Sequence, residues 1–218
     1  MYIVDRTLQC SRGFLLSYGP TPIKTFFWNR EFSNGQWNFL DNTAGDCVYS
    51  HLERFAADRS ILDLGCGPGN TANEVAPVYR TYVGMDISEE ALAKARRRTE
   101  QNGRSDKNRF ERGDFLSYVP PQKFDVILFR EAMYHVPLGK VKKTLDRFSE
   151  YLADGGVFIV RLYVMKDGKA KQRPSAMIGI MEKEFDVVEK TVYPESGSTV
   201  IVFRPKSSVA NGRKNGVR

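Results

Sequence analysis

The stretch ILDLGCGPGN, residues 61–70, decides the fold of this chain because it joins a strand-like run to a glycine-rich loop. Its first four residues are apolar at all but one position, as in a strand that is covered on both faces. Gly65, Gly67 and Gly69 allow a sharp backbone turn and let a ligand approach with no Cβ in the way. A helix is predicted from about Asn70, so the ligand would lie at the carboxyl edge of a sheet, beside a helix N-terminus.

The glycine spacing narrows the choice of ligand. The loop reads GxGxG, and Asn70 stands where a dinucleotide-binding GxGxxG loop has its third glycine. The loop also lacks the Lys-Ser/Thr pair of a P-loop. Neither a nicotinamide dinucleotide nor a nucleoside triphosphate is therefore favoured. Cys66 lies inside the loop, and we expect it to be a small packing residue rather than a nucleophile.

Two carboxylates stand at the ends of the next two predicted strands. Asp86 ends TYVGMD and follows Gly65 by 21 residues, the offset at which an acid accepts hydrogen bonds from ribose hydroxyls in nucleoside-binding α/β folds. Asp114, in ERGDF, is expected to accept from an adenine amino group, with Phe115 or Ile87 against the ring face. The alternative is that Asp114 only caps a turn at the end of its strand.

The middle of the chain alternates strand-like and helix-like segments, which predicts an α/β domain with a largely parallel sheet. The last two strands are separated by only five residues, too few for a crossover helix, so they should be antiparallel. Helices are predicted from Ser88, an N-cap, to about Gly103, and over roughly Gly139–Leu152, which ends before a turn at residues 154–156. The predicted strands are Ile61–Leu64, Thr81–Asp86, Arg109–Phe115, Phe124–Phe129, Gly156–Val164, Phe185–Tyr193 and Thr199–Arg204.

Both ends of the chain differ from this pattern. Residues 1–42 are rich in Gly, Pro, Asn and aromatic side chains, which fits either a lid over a substrate site or a packing extension over a sheet edge. Residues 43–205 form the predicted α/β domain. Residues 206–218 carry four bases and no acid, and we expect a flexible basic tail.

Charge and composition exclude several classes of protein. The 218 residues carry a formal charge of +7, and setting aside the four bases of the tail leaves +3, so a nucleic-acid partner is not expected. No apolar run reaches the roughly 20 residues of a membrane helix, and the start of the chain lacks the pattern of a secretory signal. Three scattered cysteines predict neither a disulfide framework nor a metal site, and they fit a reduced, cytoplasmic compartment.

Taken together, these motifs resemble those of the class I S-adenosylmethionine-dependent methyltransferases. The resemblance covers about residues 43–205, and it implies an α/β fold with a Rossmann-like seven-stranded sheet. The implied strand order is 3-2-1-4-5-7-6, with the last strand antiparallel and helices on both faces. The segments that carry the resemblance are ILDLGCGPG, YVGMDIS, RGDF, FDVILFREAMYHV and GGVFIV.

The resemblance implies S-adenosylmethionine as cofactor, S-adenosylhomocysteine as product, and a role for each matching residue. Gly65 and Gly67, on either side of Cys66, would contact the methionyl part through their backbone, and Asp63 would orient the loop or meet the amino group through water. Asp86 would hold the ribose and Asp114 the adenine. Arg130, after the fourth strand, would line the methionyl side or bind a carboxylate of cofactor or substrate.

The segment WNREFSNGQW, residues 28–37, is similar to the N-terminal segment of thiopurine-type and related small-molecule methyltransferases. There the first tryptophan closes over the cofactor, and Trp28 is the matching position, with Arg30 beside it. The alternative is that these aromatic residues only pack an extension.

The acceptor side of the site is expected to follow the fourth strand. His135 is either a catalytic base or a structural residue, with Tyr134 and Tyr18 as further acceptor contacts; His51 is expected to pack away from the site. The chain lacks the signature motifs of DNA amino-methylating, cytosine-C5 and protein-arginine enzymes, and it is too short for a separate recognition domain. These absences favour a small-molecule acceptor. We expect an N or O nucleophile on that acceptor and a monomeric or homodimeric protein. The alternatives are an RNA or protein methyltransferase and a non-catalytic cofactor binder.

Overall fold

A seven-stranded sheet in the order β3-β2-β1-β4-β5-β7-β6 forms the centre of the molecule, in a computed structural model that describes residues 12, 14–38, 43–164 and 172–206. The first five strands run parallel to one another, and β7 runs antiparallel to both β5 and β6. This order, with its antiparallel last strand, confirms the predicted fold. The strands are β1 Ser60–Leu64, β2 Thr81–Asp86, β3 Asn108–Arg112, β4 Phe124–Arg130, β5 Leu152–Tyr163, β6 Asp186–Tyr193 and β7 Ser198–Arg204.

Helices cover both faces of the sheet. The helix after β2 begins as predicted, because the Ser88 hydroxyl accepts a hydrogen bond from the Ala91 amide at 3.2 Å. It ends two residues before Gly103, whose φ of 63° is a left-handed conformation that terminates helices. The helices are α1 Thr21–Ser33, α2 Cys47–Phe55, α3 Asn70–Glu74, α4 Glu89–Gln101, α5 Val141–Ser149 and α6 Gln172–Glu184.

The sheet separates two hydrophobic clusters, as expected for strands that are covered on both faces. Along β4, Ile127 and Phe129 belong to the cluster that α5 and α6 cover. Val126 and Leu128 belong to the other cluster, which α2 and α3 cover. All five residues of β1 are buried, so the glycine loop that follows it starts from a rigid position.

Three predicted boundaries were wrong. The strand predicted to reach Phe115 ends at Arg112, because the chain turns at Asp114, whose carboxylate accepts from the Leu116 amide at 3.0 Å. The helix predicted over Gly139–Leu152 starts with a 3₁₀ turn and ends at Ser149.

The turn predicted at residues 154–156 lies inside the first part of β5 rather than before it. Leu152 pairs with Phe124 and Val157 with Val126, so β5 has extra residues between two pairings with β4. Gly155 takes a φ of 73° at this irregularity, which is the turn that the glycines indicated.

Parts of the predicted terminal segments fall outside the described residues. These parts are residues 1–11, 13 and 39–42 of the N-terminal segment and residues 207–218 of the tail. Within the described ranges, no helix is both long and apolar enough to cross a membrane. What remains of the N-terminal segment, chiefly α1, lies over the carboxyl edge of the sheet and packs on α4.

Candidate active site

The glycine loop after β1 turns back against β2. The amides of Gly65 and Cys66 both donate to the Met85 carbonyl, at 2.8 and 3.0 Å. Gly65 has a φ of 82°, and a Cβ at this position would lie 2.7 Å from the Cβ of Ala132. The loop therefore requires glycine at position 65, both for its backbone conformation and for the close approach of the segment after β4.

Gly67 forms part of a cavity wall. Its φ is 55°, and the only atom near a Cβ added there belongs to Phe32, at 3.9 Å. A side chain at this position would extend into the cavity. The space in front of Gly67 is therefore kept open for a group that contacts the backbone directly.

Asp86, at the end of β2, is held by two backbone amides. Its Oδ2 accepts from the Gly67 amide at 2.9 Å, and its Oδ1 accepts from the Ser88 amide at 2.8 Å. Burial raises the pKa of this carboxyl group, and the two amides oppose that shift. Each carboxylate oxygen keeps a further lone pair, so Asp86 can still accept from the two hydroxyls of a ribose.

Asp63 and Cys66 lie behind the loop rather than in the cavity wall. The Tyr82 hydroxyl donates to Asp63 Oδ2 at 2.5 Å, while Oδ1 is buried without a hydrogen-bond partner among the described residues. Burial raises the pKa of Asp63 to about 6. Burial also raises the pKa of the Cys66 thiol well above its ordinary value, so this side chain is a neutral packing group.

A cavity at the carboxyl edge of the sheet brings many of the predicted residues together. It contains about 820 Å³ of empty space, part of which opens to solvent. Predicted site residues in its wall are Trp28, Gly65, Gly67, Asp86, Ile87, Asp114, Phe115, Arg130 and His135. The wall also contains Leu16, Lys24, Phe32, Trp37, Leu116, Glu131 and Ala132.

Besides Asp63 and Cys66, three more predicted site residues are not in this wall. Arg30 lies on the exposed side of α1. Tyr18 is 57% exposed and stacks on Phe14 with 5.0 Å between ring centroids. The Tyr134 hydroxyl donates to the Tyr163 carbonyl at 2.8 Å.

Polar contacts join α1 to the segments that follow β2 and β3 at the cavity. The Lys24 ammonium forms an ion pair with Asp114, and the Thr21 hydroxyl donates to the same carboxylate at 3.1 Å. Further along α1, Asn29 accepts from the Ser88 hydroxyl at 2.8 Å. Asp114 thus caps a turn, binds α1 and lines the cavity. The turn cap is confirmed, and the adenine role stays a prediction.

An aromatic cluster forms the outer wall. Trp28 lies 5.6 Å from Trp37 and 5.0 Å from the ring of His135, which it meets edge-on. Phe32 lies within 6.2 Å of both tryptophans. Burial lowers the pKa of His135 to about 4, so its ring is neutral at pH 7 and is a weak base.

A network of ion pairs at the ends of β4 and β5 lies beside the cavity and joins these strands to the start of α2. Asp46 Oδ2 accepts from Arg130 Nε at 3.0 Å and Nη2 at 2.7 Å, while its Oδ1 caps α2 by accepting from the Val48 amide at 3.0 Å. Arg161 Nη1 donates to Glu131 Oε1 at 2.7 Å. The carboxylate that Arg130 binds in this structure therefore belongs to the protein itself.

Residues 56–201 match the family model described as a methyltransferase domain. The chain belongs to this methyltransferase family. The match confirms the resemblance to the class I S-adenosylmethionine-dependent enzymes, and S-adenosylmethionine is the methyl donor of that family. The cavity wall fits such a cofactor, since the backbone of Gly67 leaves space for it and Asp86, beside that backbone, can accept hydrogen bonds from ribose hydroxyls.

Curated relatives of this methyltransferase domain act on different acceptors. Sterol 24-C-methyltransferase ERG6B of Gibberella zeae is 33% identical over 109 residues, which are 49% of this chain and 28% of that protein. Trans-aconitate 2-methyltransferase of Variovorax paradoxus is 36% identical over 105 residues, 47% of this chain and 38% of that protein. The chain spans between about a quarter and a half of the length of the first curated relatives that it matches.

The fold also matches solved structures. Magnesium protoporphyrin IX methyltransferase (ChlM) from Synechocystis PCC 6803, with bound S-adenosylhomocysteine, superposes with a TM-score of 0.66 at 14% identity. The match covers 85% of this chain and all of that chain. At this identity the comparison concerns the fold alone.

Sequence reasoning missed several parts of the methyltransferase site. Lys24 stands four residues before Trp28, so helical spacing could have placed the two on one face. No local signal could have paired Asp46 with Arg130, because 84 residues separate them. Within the described residues, no group of three or more His, Cys, Asp or Glu side chains could hold a metal ion.

Proposed function

We propose that this chain transfers the methyl group of S-adenosylmethionine to a small-molecule acceptor through an N or O nucleophile. The observation that carries the proposal is the cavity wall. It combines a glycine loop open at Gly67, a carboxylate at Asp86 and an aromatic cover from α1. The glycine loop and Asp86 lie within residues 56–201, which match a family that uses this donor.

Each part of the wall has a role in this proposal. Asp86 binds the ribose hydroxyls, the backbone of Gly65 and Gly67 faces the methionyl part, and Asp114 lies on the adenine side with Phe115. When bound, S-adenosylmethionine supplies an electrophilic methyl group on a sulfonium. The protein mainly aligns the acceptor with that methyl group and excludes water, which the cover of Trp28 and its neighbours can do.

The enclosure of the cavity supports a small acceptor. Helix α1 closes over the carboxyl edge through Lys24 and Asn29, whereas a polymer substrate would need an open cleft. Its wall is mostly apolar and aromatic with a few polar groups, as is typical of small-molecule sites. Relatives named for a sterol, for ubiquinone biosynthesis and for trans-aconitate are consistent with this size class.

Two measurements test the proposal. Isothermal titration should detect binding of S-adenosylhomocysteine, and absence of binding by folded protein at high micromolar concentration would contradict it. Tritium transfer from labelled S-adenosylmethionine should then occur to members of a panel of phenols, amines and carboxylic acids. Transfer to RNA or to protein, with none to the panel, would favour a macromolecular acceptor instead.

A further inference from the structure

Glu131 combines an unusual backbone conformation with a place in the cavity wall. Its φ is 57°, and Asp58 is the only other non-glycine residue with a positive φ among the described residues. A left-handed conformation disfavours a side chain such as glutamate, and such strain concentrates at functional sites. The Glu131 amide is fixed by donating to the Arg161 carbonyl at 3.1 Å, so the conformation is held by the neighbouring strand β5.

The Glu131 carboxylate is anchored but still accessible. Arg161 Nη1 donates to its Oε1 at 2.7 Å, and the Glu131 side chain remains 34% exposed. The cavity-wall carboxylates on the other strands differ from it. Asp86 is bound by two loop amides, and Asp114 is bound by α1.

The other polar groups near β4 are poorly suited to bind an acceptor as hydrogen-bond acceptors or bases. The ring of His135 is only partly exposed, neutral and weakly basic. The Tyr134 hydroxyl is occupied by the Tyr163 carbonyl, and Arg130 is bound by Asp46. Among the carboxylates that line the cavity, Glu131 is therefore the one at the end of β4.

The strand order places Glu131 at the reacting end. The carboxyl ends of β3, β2, β1 and β4 lie side by side in that order. Asp114 follows β3, Asp86 ends β2, and the glycine loop follows β1. S-adenosylmethionine with its adenosine against Asp114 and Asp86 would therefore have its sulfonium near the glycine loop. The next strand end beyond the glycine loop is that of β4, so Glu131 in the cavity wall would face the methyl end of a bound donor.

We infer that Glu131 binds the methyl acceptor, its carboxylate accepting a hydrogen bond from the O–H or N–H group that receives the methyl. The acceptor class is accordingly a hydroxyl or amine compound rather than a carbon nucleophile. Arg161 is a positioning residue, because it acts by holding Glu131. This inference rests on the proposed function and deepens it.

The test uses two cofactor analogues and needs no knowledge of the acceptor. Sinefungin carries an ammonium group where the donor carries its reactive methyl, whereas S-adenosylhomocysteine has nothing there. In the wild-type chain, Glu131 should favour sinefungin through its charge. Glu131→Gln should lower the affinity for sinefungin at least fivefold and change the affinity for S-adenosylhomocysteine less than twofold, both measured by isothermal titration.

The controls separate the possible failures. Glu182→Gln removes a surface carboxylate that pairs with Lys190, outside the cavity, and should change neither affinity. An unchanged ratio of the two affinities in Glu131→Gln, or an equal loss of both, would overturn the inference. Failure of the wild-type chain to bind either analogue would instead overturn the proposed function.

A folding defect in Glu131→Gln would be seen in its thermal unfolding, and Glu131→Asp then replaces it. This variant keeps the charge that pairs with Arg161 but withdraws it from the cavity by one methylene. We expect a smaller but selective loss of sinefungin affinity, and an unchanged ratio in this variant would also overturn the inference.

Discussion

The Lys24 ammonium and the Asp114 carboxylate form an ion pair in which each side chain is only 8% exposed, and this pair joins α1 to the turn after β3. Both residues also line the cavity. The residue on the proposed adenine side is therefore the same one that fastens the cover of the site. Cofactor binding and the docking of α1 should influence each other through Asp114.

Lys24→Met should loosen α1 before it affects the sheet. The substitution leaves the Asp114 carboxylate buried without its ammonium partner, at a cost of roughly 3 kcal/mol. No residue of α1 belongs to either core cluster, so the loss should fall on the docking of the helix. We expect amide hydrogen exchange in residues 21–33 to become at least tenfold faster.

The matched control is Lys142→Met, which removes a half-exposed pair with Asp146 on α5. Such exposed pairs contribute little to stability, so exchange in α1 should not change. Equal exchange of α1 in both variants and in the wild-type chain would show that the buried pair does not hold the helix.

Asp86→Ala should weaken binding of S-adenosylhomocysteine. The ribose hydroxyls would lose their acceptor, which costs about 1–3 kcal/mol, or roughly 5- to 150-fold in affinity. Isothermal titration measures this change, with Asp106→Ala as an exposed control. An affinity equal to that of the control would remove Asp86 from the binding site.

Gly65→Ala should reduce the free energy of unfolding more than Gly103→Ala. Both glycines have positive φ, so each alanine costs roughly 1–2 kcal/mol in backbone strain. Only at position 65 does the new Cβ meet another group, the Cβ of Ala132 at 2.7 Å, which adds roughly 1–3 kcal/mol. Urea denaturation of the two variants should show this difference, and equal midpoints would argue against the close approach.

His135 should make the protein less stable as the pH falls. Its pKa is about 4 in the folded chain and near 6.5 when unfolded, so between these values only the unfolded chain binds the proton. The stabilisation is complete above pH 6.5 and is lost progressively down to about pH 4, by up to about 3 kcal/mol. His135→Asn should therefore flatten the pH dependence of urea denaturation between pH 7 and 4.5, and parallel curves for variant and wild type would contradict a neutral ring in the folded chain.

Much of the fold could be predicted because its signals are local. The apolar run before Gly65, the acid that ends β2 and the short link between β6 and β7 each restrict the chain within a few residues. Their order along the chain then leaves few topologies. The cavity wall of Gly67, Asp86 and Asp114 follows from the same rule, since parallel strands end at one edge of the sheet.

The rest of the site depends on contacts between distant residues. Lys24 and Asp114 are 90 residues apart, and Asp46 and Arg130 are 84 apart, so neither pair has a local pattern. The strain at Glu131 is equally invisible in the sequence, because the tertiary contact with Arg161 imposes it. Burial decides the protonation state of His135, which the sequence left open between a base and a structural residue.

The position of the aromatic wall has a spectroscopic consequence. The chain contains only two tryptophans, and both Trp28 and Trp37 line the cavity. Intrinsic tryptophan emission thus comes entirely from the cover of the site and none of it from the interior of the sheet. A shift in its wavelength or a quench on adding ligand would report directly on this wall, without any introduced label.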